Sequence, residues 1–281
     1  MRVISSACAS FAVVMLCVAL TLTNACDLAA PLHSGDKSLT VDHVAGAPLQ
    51  VATGSGSIAV TKTDRPDVQI RAKISAVSED RLAATKIETV RGIDNTLMVR
   101  CAWPGDQPQN RESCSFEIEI PDTNGVTLVS ENGNLKTSEL TGKATLLSTN
   151  GNIEAIAQVG PVEAHTTNGT INVVEAGGAV KAATTNGSID IELARESAGP
   201  IMATAVNATI DVSVGPAFAG TLTLGTTNGL VTVDPSVRAR MTVGDPHEAQ
   251  LTFGNSDVKS SATTINGTVR VRSTESVDEG T

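Results

Sequence analysis

Four residues at a fixed spacing carry the strongest hint of chemistry in this chain: Glu154, Asn172, Asp190 and Asp211. Each stands four residues after the Asn of a recurring corner, in "TNGNIE", "TNGTIN", "TNGSID" and "VNATID". If successive copies stack as strands, the four side chains form an outward column with a rise of about 4.8 Å. Carboxylates so placed can raise one another's pKa or hold a hard cation. The same column also reads as a solvated face whose charges discourage edge pairing. No EF-hand loop or calcium-roll nonapeptide accompanies it. Glycosidase carboxylates need opposed placement across a cleft, which a straight column does not supply. No catalytic residue, metal or cofactor is therefore expected.

Cys101 and Cys114 flank "AWPGDQPQNRES", a loop with two prolines between the strand-like runs "TLMVRCA" and "CSFEIEI". A disulfide there would close a short loop between neighbouring strands, adding on the order of 3 kcal/mol in the chain-entropy model. A metal pair is the competing reading, although none of His33, His43, His165 and His247 lies near the two cysteines in sequence. His165 has no Ser or Asp at a spacing that suggests a nucleophile, and it reads as a surface residue. Arg65, Arg71, Lys73 and Arg81 sit among acids and read the same way. Thr149, Thr167, Thr185 and Thr227 make a further outward column. Flat threonine ladders suit ice binding, but ordinary strand propensity explains these more simply.

The elements that must position these residues are repeats. Copies align on Asn132, Asn150, Asn168, Asn186, Asn207, Asn228 and Asn266, at intervals of 18, 18, 18, 21, 21 and 38 residues. A period of this size marks a solenoid, in which each repeat packs on its neighbours. Two, four and six residues before the anchor the side chains are small or apolar, as at Thr166, Ala164 and Val162. After it the apolar positions fall three and five residues on, as at Ile171 and Val173. This change of parity means that one residue slips out of step at the corner, a bend or bulge that Gly permits. Each coil then holds two strands that pair in parallel with their equivalents. The asparagines would stack up the corner, each amide bonding the next. Asn207 is followed by Ala208 instead of Gly, and the last anchor reads "TING", so the ends of the stack are expected to be less regular. Hexapeptide-repeat acyltransferases share the period, but Val159, His165, Ile171, Gly177 and Ala183 break their aliphatic pattern.

An isolated early coil, "LQVATGSGSIAV", fits the same columns. Between it and the serial coils lies an insertion with expected strands at 67–75, 94–102 and 114–120 and a helix from Ser78 to about Thr89. It would cap an otherwise open sheet edge.

Composition agrees with strands and export. The 281 residues carry a net charge of −10, no Tyr, one Trp and four Phe. So few aromatics and so acidic a balance argue against nucleic acid as a partner. Met1-Arg2 and the apolar run from Phe11 to Leu22 read as a secretory signal, too short to span a bilayer comfortably. Cleavage before Cys26 would leave a cysteine for lipid attachment, although Leu22 stands four residues ahead of it where such signals favour three. Ordinary cleavage after Ala25 or Ala30 is the alternative.

A signal, an early "GSGSI" coil, the segment ending "FEIEIPDTNGVTL" and serial "TTNGSI" coils together resemble the bacterial putative-adhesin family of β-strand-repeat envelope proteins. That family is catalogued as a domain of unknown function. The resemblance covers about residues 40–272. It implies an exported β-helix-like solenoid, and it supplies no catalytic residues. The expected map is a signal at 1–25, a polar tether at 26–46, a single-domain all-β solenoid at 47–272 with a capping insertion at 61–120, and a disordered tail at 273–281. The expected role is that of a non-enzymatic adhesin or scaffold. It would be anchored to a membrane by an N-terminal lipid and would bind a polysaccharide or an envelope protein. A polysaccharide lyase or hydrolase using the acidic column, and an envelope-stress accessory lipoprotein, are the alternatives.

Overall fold

Residues 31–274 are described by the computed structural model, and strands make up most of them, with one short helix. The signal segment, Cys26 and residues 275–281 lie outside the described residues. Four strands, β1 (His33–Asp42), β2 (Leu49–Ser55), β3 (Ile58–Lys62) and β4 (Asp67–Ala76), precede the helix α1 (Glu79–Ala84). They are followed by β5 (Lys86–Arg91), β6 (Leu97–Ala102) and β7 (Ser113–Ile120). Strands then come in pairs, one pair per repeat. These are β8 (Gly125–Asn132) with β9 (Leu135–Ser138), β10 (Lys143–Asn150) with β11 (Ile153–Ile156), and β12 (Val162–Asn168) with β13 (Ile171–Ala176). Next are β14 (Val180–Asn186) with β15 (Ile189–Leu193), β16 (Ile201–Asn207) with β17 (Ile210–Val214), and β18 (Gly220–Asn228) with β19 (Val231–Val233). A hairpin, β20 (Arg240–Gly244) and β21 (Glu248–Phe253), comes before the last pair, β22 (Lys259–Asn266) and β23 (Val269–Ser273).

Each repeat gives its first strand to one sheet and its second to the other. Twelve strands run β20-β21-β18-β22-β16-β14-β12-β10-β8-β2-β6-β5, and eleven run β1-β4-β7-β3-β9-β11-β13-β15-β17-β23-β19. Pairing between repeats is parallel and joins equivalent positions: Val162 faces Ala144 and Val180, and Ile171 faces Ile153 and Ile189. The early coil sits in the same frame, with Leu49 opposite Val126 and Ile58 opposite Leu135. Val, Ile, Leu and Ala at the alternate inward positions fill the narrow space between the sheets, and nearly all are buried. Burying one Val, Leu or Ile side chain is worth about 1.5–3 kcal/mol.

The corners explain the repeated tetrapeptide. One repeat lies so close to the next that a Cβ on Gly151 would fall 2.0 Å from the Gly133 carbonyl oxygen, and one on Gly169 would fall 2.2 Å from that of Gly151. Two residues before every anchor but Asn207 a hydroxyl reaches the equivalent carbonyl. Ser148 donates to Gly133 at 3.1 Å, Thr166 to Gly151 at 3.0 Å and Thr184 to Gly169 at 3.1 Å. The asparagine amides bond in series, Asn150 to Asn132, Asn168 to Asn150, Asn186 to Asn168 and Asn207 to Asn186, at 2.8–2.9 Å.

The structure departs from expectation in three places. Residues 33–42, expected as tether, form β1, antiparallel to β4 with ten paired positions. Their alternation of half-buried and exposed residues covers the sheet on one side only, which is why the hydrophobic signal is weak. The helix is shorter than expected. Ser78 caps it by accepting from the Arg81 N–H at 3.3 Å, and the Thr85 hydroxyl bonds back to the Arg81 carbonyl at 2.7 Å before β5 begins.

The third departure concerns order. The last pair, β22 and β23, inserts between the β16–β17 and β18–β19 repeats in both sheets. The asparagine series therefore runs Asn207, Asn266, Asn228, with bonds of 2.7 and 2.9 Å. The irregular corners at Ala208 and "TING" are not stack ends, as expected, but neighbours of each other. At the true C-terminal side, β21 and β20 extend the twelve-stranded sheet in antiparallel fashion, and Phe218 meets Phe253 edge to face at 4.9 Å. At the other end β6 and β7 add one more parallel unit beside β2 and β3, followed by antiparallel β5 on one sheet and β4 and β1 on the other.

Candidate functional site

Strand register brings the acidic column together and shows what flanks it. Lys136, Glu154, Asn172, Asp190, Asp211 and Arg270 form one row across β9, β11, β13, β15, β17 and β23. Lys136 Nζ lies 2.7 Å from Glu154 Oε2, and Arg272 lies 3.8 Å from Asp211 Oδ1. The carboxylates are thus bracketed by cations. Burial, and then the neighbouring Asp211 charge, push the Asp190 carboxyl above the usual carboxylate range, against the opposing Ser188 hydroxyl and Arg272. Among the described residues no set of three or more His, Cys, Asp and Glu side chains converges as a metal site.

A groove lies on the same face, toward the N-terminal end of the eleven-stranded sheet. One hollow of about 520 Å³ involves Ala59, Asn134, Lys136, Asn152, Glu154, Thr170 and Asn172. A second, of about 450 Å³, involves Asp36, Lys37, Ser38, Arg71 and Lys73, and both share Ser115 and Glu117. Ala59 sits opposite Glu117 on one side and Lys136 on the other, so its short side chain makes the depression. Beside this row runs a second one of oxygen acceptors. Ser115 Oγ accepts from the Ser57 N–H, Ser57 Oγ from Asn134, Asn134 Oδ1 from Asn152, and Asn152 Oδ1 from Thr170, at 2.9–3.2 Å. These bonds fix the rotamers of Asn134 and Asn152. Both are exposed, and their amide N–H₂ groups are the donors turned to the surface. Arg71 is held by Glu119 at 2.9 Å and Gln69 at 3.1 Å. Such a surface can grip a ligand rich in hydroxyl, amide or charged groups, lying across the strands.

The cysteines occupy a corner. Cys101 stands at the position of the corner hydroxyls and Cys114 at that of the corner glycines, where the Cys114 carbonyl accepts from Thr53 Oγ1 at 3.0 Å. Both are free thiols, Cys114 buried and Cys101 half-buried. A hydrogen bond with Cys101, and then burial, push the Cys114 thiol up.

Next to them the structure places a pair that the sequence does not reveal. Arg81, expected as ordinary surface, binds Glu112 through two bonds of 2.7 Å. The Glu112 side chain is fully buried and also accepts from the N–H groups of Gln109 at 2.7 Å and Val77 at 3.2 Å. Together these hold its carboxyl at about 2, the Arg81 guanidinium being the main cause. Two charges 31 residues apart give no local pattern by which to pair them.

On the twelve-stranded sheet, Glu163 is held at about 2 by Lys143 at 2.7 Å and Lys181 at 2.9 Å, with His165 at 3.4 Å. His165 is thus an ion-pair neighbour, with no nucleophile beside it. A larger hollow, about 700 Å³, lies by the opposite corners among Ala157, Gln158, Val159, Glu175, Glu192 and Arg195. The Gln158 Oε1 atom there is buried without a hydrogen-bond partner.

No curated protein matches the sequence. Among solved structures, a putative adhesin from Bacteroides fragilis is 17% identical, with 85% of this chain and 97% of that one covered at a TM-score of 0.44. A putative cell adhesion protein from Clostridium sporogenes is 11% identical, with 86% and 100% covered at 0.33. A putative lipid binding protein from Parabacteroides distasonis is 11% identical, with 84% and 97% covered at 0.25. These likenesses are too loose to bear on function. The family model for a domain of unknown function, DUF7330, matches residues 117–264, more than half of the chain. The chain belongs to the DUF7330 family, a family of unknown function.

Proposed function

We propose that this chain is an exported, non-enzymatic binding protein of the cell envelope. It is built as a β-solenoid and tethered by lipid on Cys26, and its adjacent Cys101 and Cys114 thiols are oxidised to a disulfide by the oxidants of an export compartment. It holds a polysaccharide or an extended envelope polypeptide on the outer face of the eleven-stranded sheet. The observation that carries this reading is the shared groove from Asp36 to Asn172, lined by amides, hydroxyls and charges of both signs. The in-register parallel pairing of equivalent positions supports the solenoid. A rigid surface of this kind gains affinity from many modest contacts. The test is retention of the protein on a panel of bacterial and host polysaccharides. Asn152→Ala and Lys136→Ala should each weaken retention several-fold, while Thr204→Ala, on the other sheet, should not. Retention unaffected by both groove variants would remove the groove from the account.

The raised Asp190 carboxyl beside Asp211 favours one other reading, an acid catalyst acting on polysaccharide. Release of soluble product, abolished by Asp190→Asn in a protein that still binds, would establish that reading over the scaffold.

A further inference from the structure

The placement of the last repeat has consequences for how copies of this chain meet. β22 and β23 fill a slot whose two walls are formed by earlier parts of the chain: β16 and β17 on one side, β18 and β19 on the other. The segment seats in the slot as any repeat seats on the one before it. Thr264 donates to the Ala208 carbonyl at 3.1 Å and a Cβ on Gly267 would fall 1.9 Å from that oxygen, the contacts that Thr166 and Gly169 make with Gly151. One feature is particular to this junction. Elsewhere the residue before the corner asparagine is mostly Thr, but here Val206 lies beside Ile265, between the paired positions Ala205–Thr264 and Asn207–Asn266. The slot therefore accepts the segment by general corner chemistry and an apolar pair, and a second copy of the chain carries the same segment.

The connection to the rest of the chain is slight. The segment holds the last of the described strands and is joined to β21 by residues 254–258, all exposed but Ser256, with the Val258 carbonyl accepting from the Thr221 N–H at 2.8 Å. β21 and β22 flank β18 on opposite sides, with Gly220 opposite Phe253 and Thr221 opposite Lys259. Five residues thus cross two strand spacings, about 10 Å, around the start of β18. Short hinges of this kind favour exchange of an identical element between protomers.

We infer that the C-terminal repeat is an exchangeable insert, and that two copies of this chain associate by placing Lys259–Ser273 of each into the slot of the other. All contacts inside the slot are kept in the exchanged pair, and only the hinge straightens. Local concentration on a membrane would favour the pair over the monomer, which gives a tethered envelope protein a way to cluster.

Two experiments on the full-length chain test this. Thr204 and Thr263 are exposed register partners across the slot. Isotope-labelled Thr204→Cys protein is co-folded with unlabelled Thr263→Cys protein at high concentration and oxidised, and the linked peptides are mapped by mass. A cross-link between labelled and unlabelled copies is the expected result. A cross-link seen only within one chain of the double variant, with none between copies, overturns the inference. In the second experiment Asn255, Ser256 and Asp257 are deleted. The three remaining peptide steps reach about 10 Å in a straight line, too short to pass around β18, so the protein should shift from monomer to dimer in size-exclusion chromatography. A folded monomer from that deletion overturns the inference as well. If the deletion prevents folding, the cross-link decides alone.

Discussion

Two corners of this molecule solve one problem in different ways. At Thr166–Gly169 the chain turns between sheets with a hydroxyl, a glycine and an amide, each in contact with a neighbouring repeat. In the β6–β7 unit the equivalent turn is opened by a long excursion and held instead by Cys101, Cys114 and the Arg81–Glu112 pair. The difference follows from position. Inside the stack, backbone on both sides supplies donors and acceptors, so small polar side chains complete the corner. The β6–β7 unit has no further parallel repeat beyond it, so side chains must lock to one another.

The largest effect should come from breaking the inner corner. Gly151→Ala places a Cβ against the Gly133 backbone, which cannot move without its own neighbours. The loss expected in urea unfolding is about 3 kcal/mol or more. Stability within experimental error of the parent would mean that the corners do not carry the stack. At the outer corner, Glu112→Gln leaves Arg81 facing a neutral partner in a closed site and should cost about 3 kcal/mol. Acid should act on the same pair. The Glu112 carboxyl is held at about 2 against its ordinary 4.5, and a depressed pKa means stabilisation that is complete above pH 4.5. It is lost as the pH falls toward 2, with Glu163 behaving alike. An unfolding free energy that stays flat across that acid window would contradict both ion pairs.

The proposed disulfide ranks next. Oxidised protein should resist thiol alkylation at Cys101 and Cys114, and reduction should cost about 2–3 kcal/mol. Full alkylation without reductant would exclude the bond. Smallest is the inner hydroxyl: Thr166→Val removes its bond to the Gly151 carbonyl and should cost about 1 kcal/mol. Ala205→Ser, placed where the chain lacks that bond, should recover part of it by donating to the Gly187 carbonyl. No gain there would mean that the Ala208 methyl, beside which the Gly187 N–H lies 3.4 Å from the Asn207 oxygen, holds these two repeats too far apart for the bond.

Much of the repeat is legible in the amino-acid pattern. Leu128, Leu146, Ala164 and Ala182 share one inward row, and Ile153, Ile171 and Ile189 another, because alternation along a strand is a local property. The residues two before each anchor are legible as small, but their hydroxyl bonds are not, since the acceptor belongs to the previous repeat. β1 escapes the pattern because a half-exposed strand looks polar. Arg81 escapes it because its charge is answered only across the fold.

What the sequence determined by itself is the cross-section of the repeat: which side chains face in, where the chain turns, and why that turn needs Asn and Gly. These follow from backbone geometry within about twenty residues. What only the tertiary structure decided is the order of the repeats. One Asn-Gly corner fits against another almost regardless of its place in the chain, so periodicity carries little information about which copy neighbours which. Long-range pairing settled that, and it put the last repeat between two earlier ones.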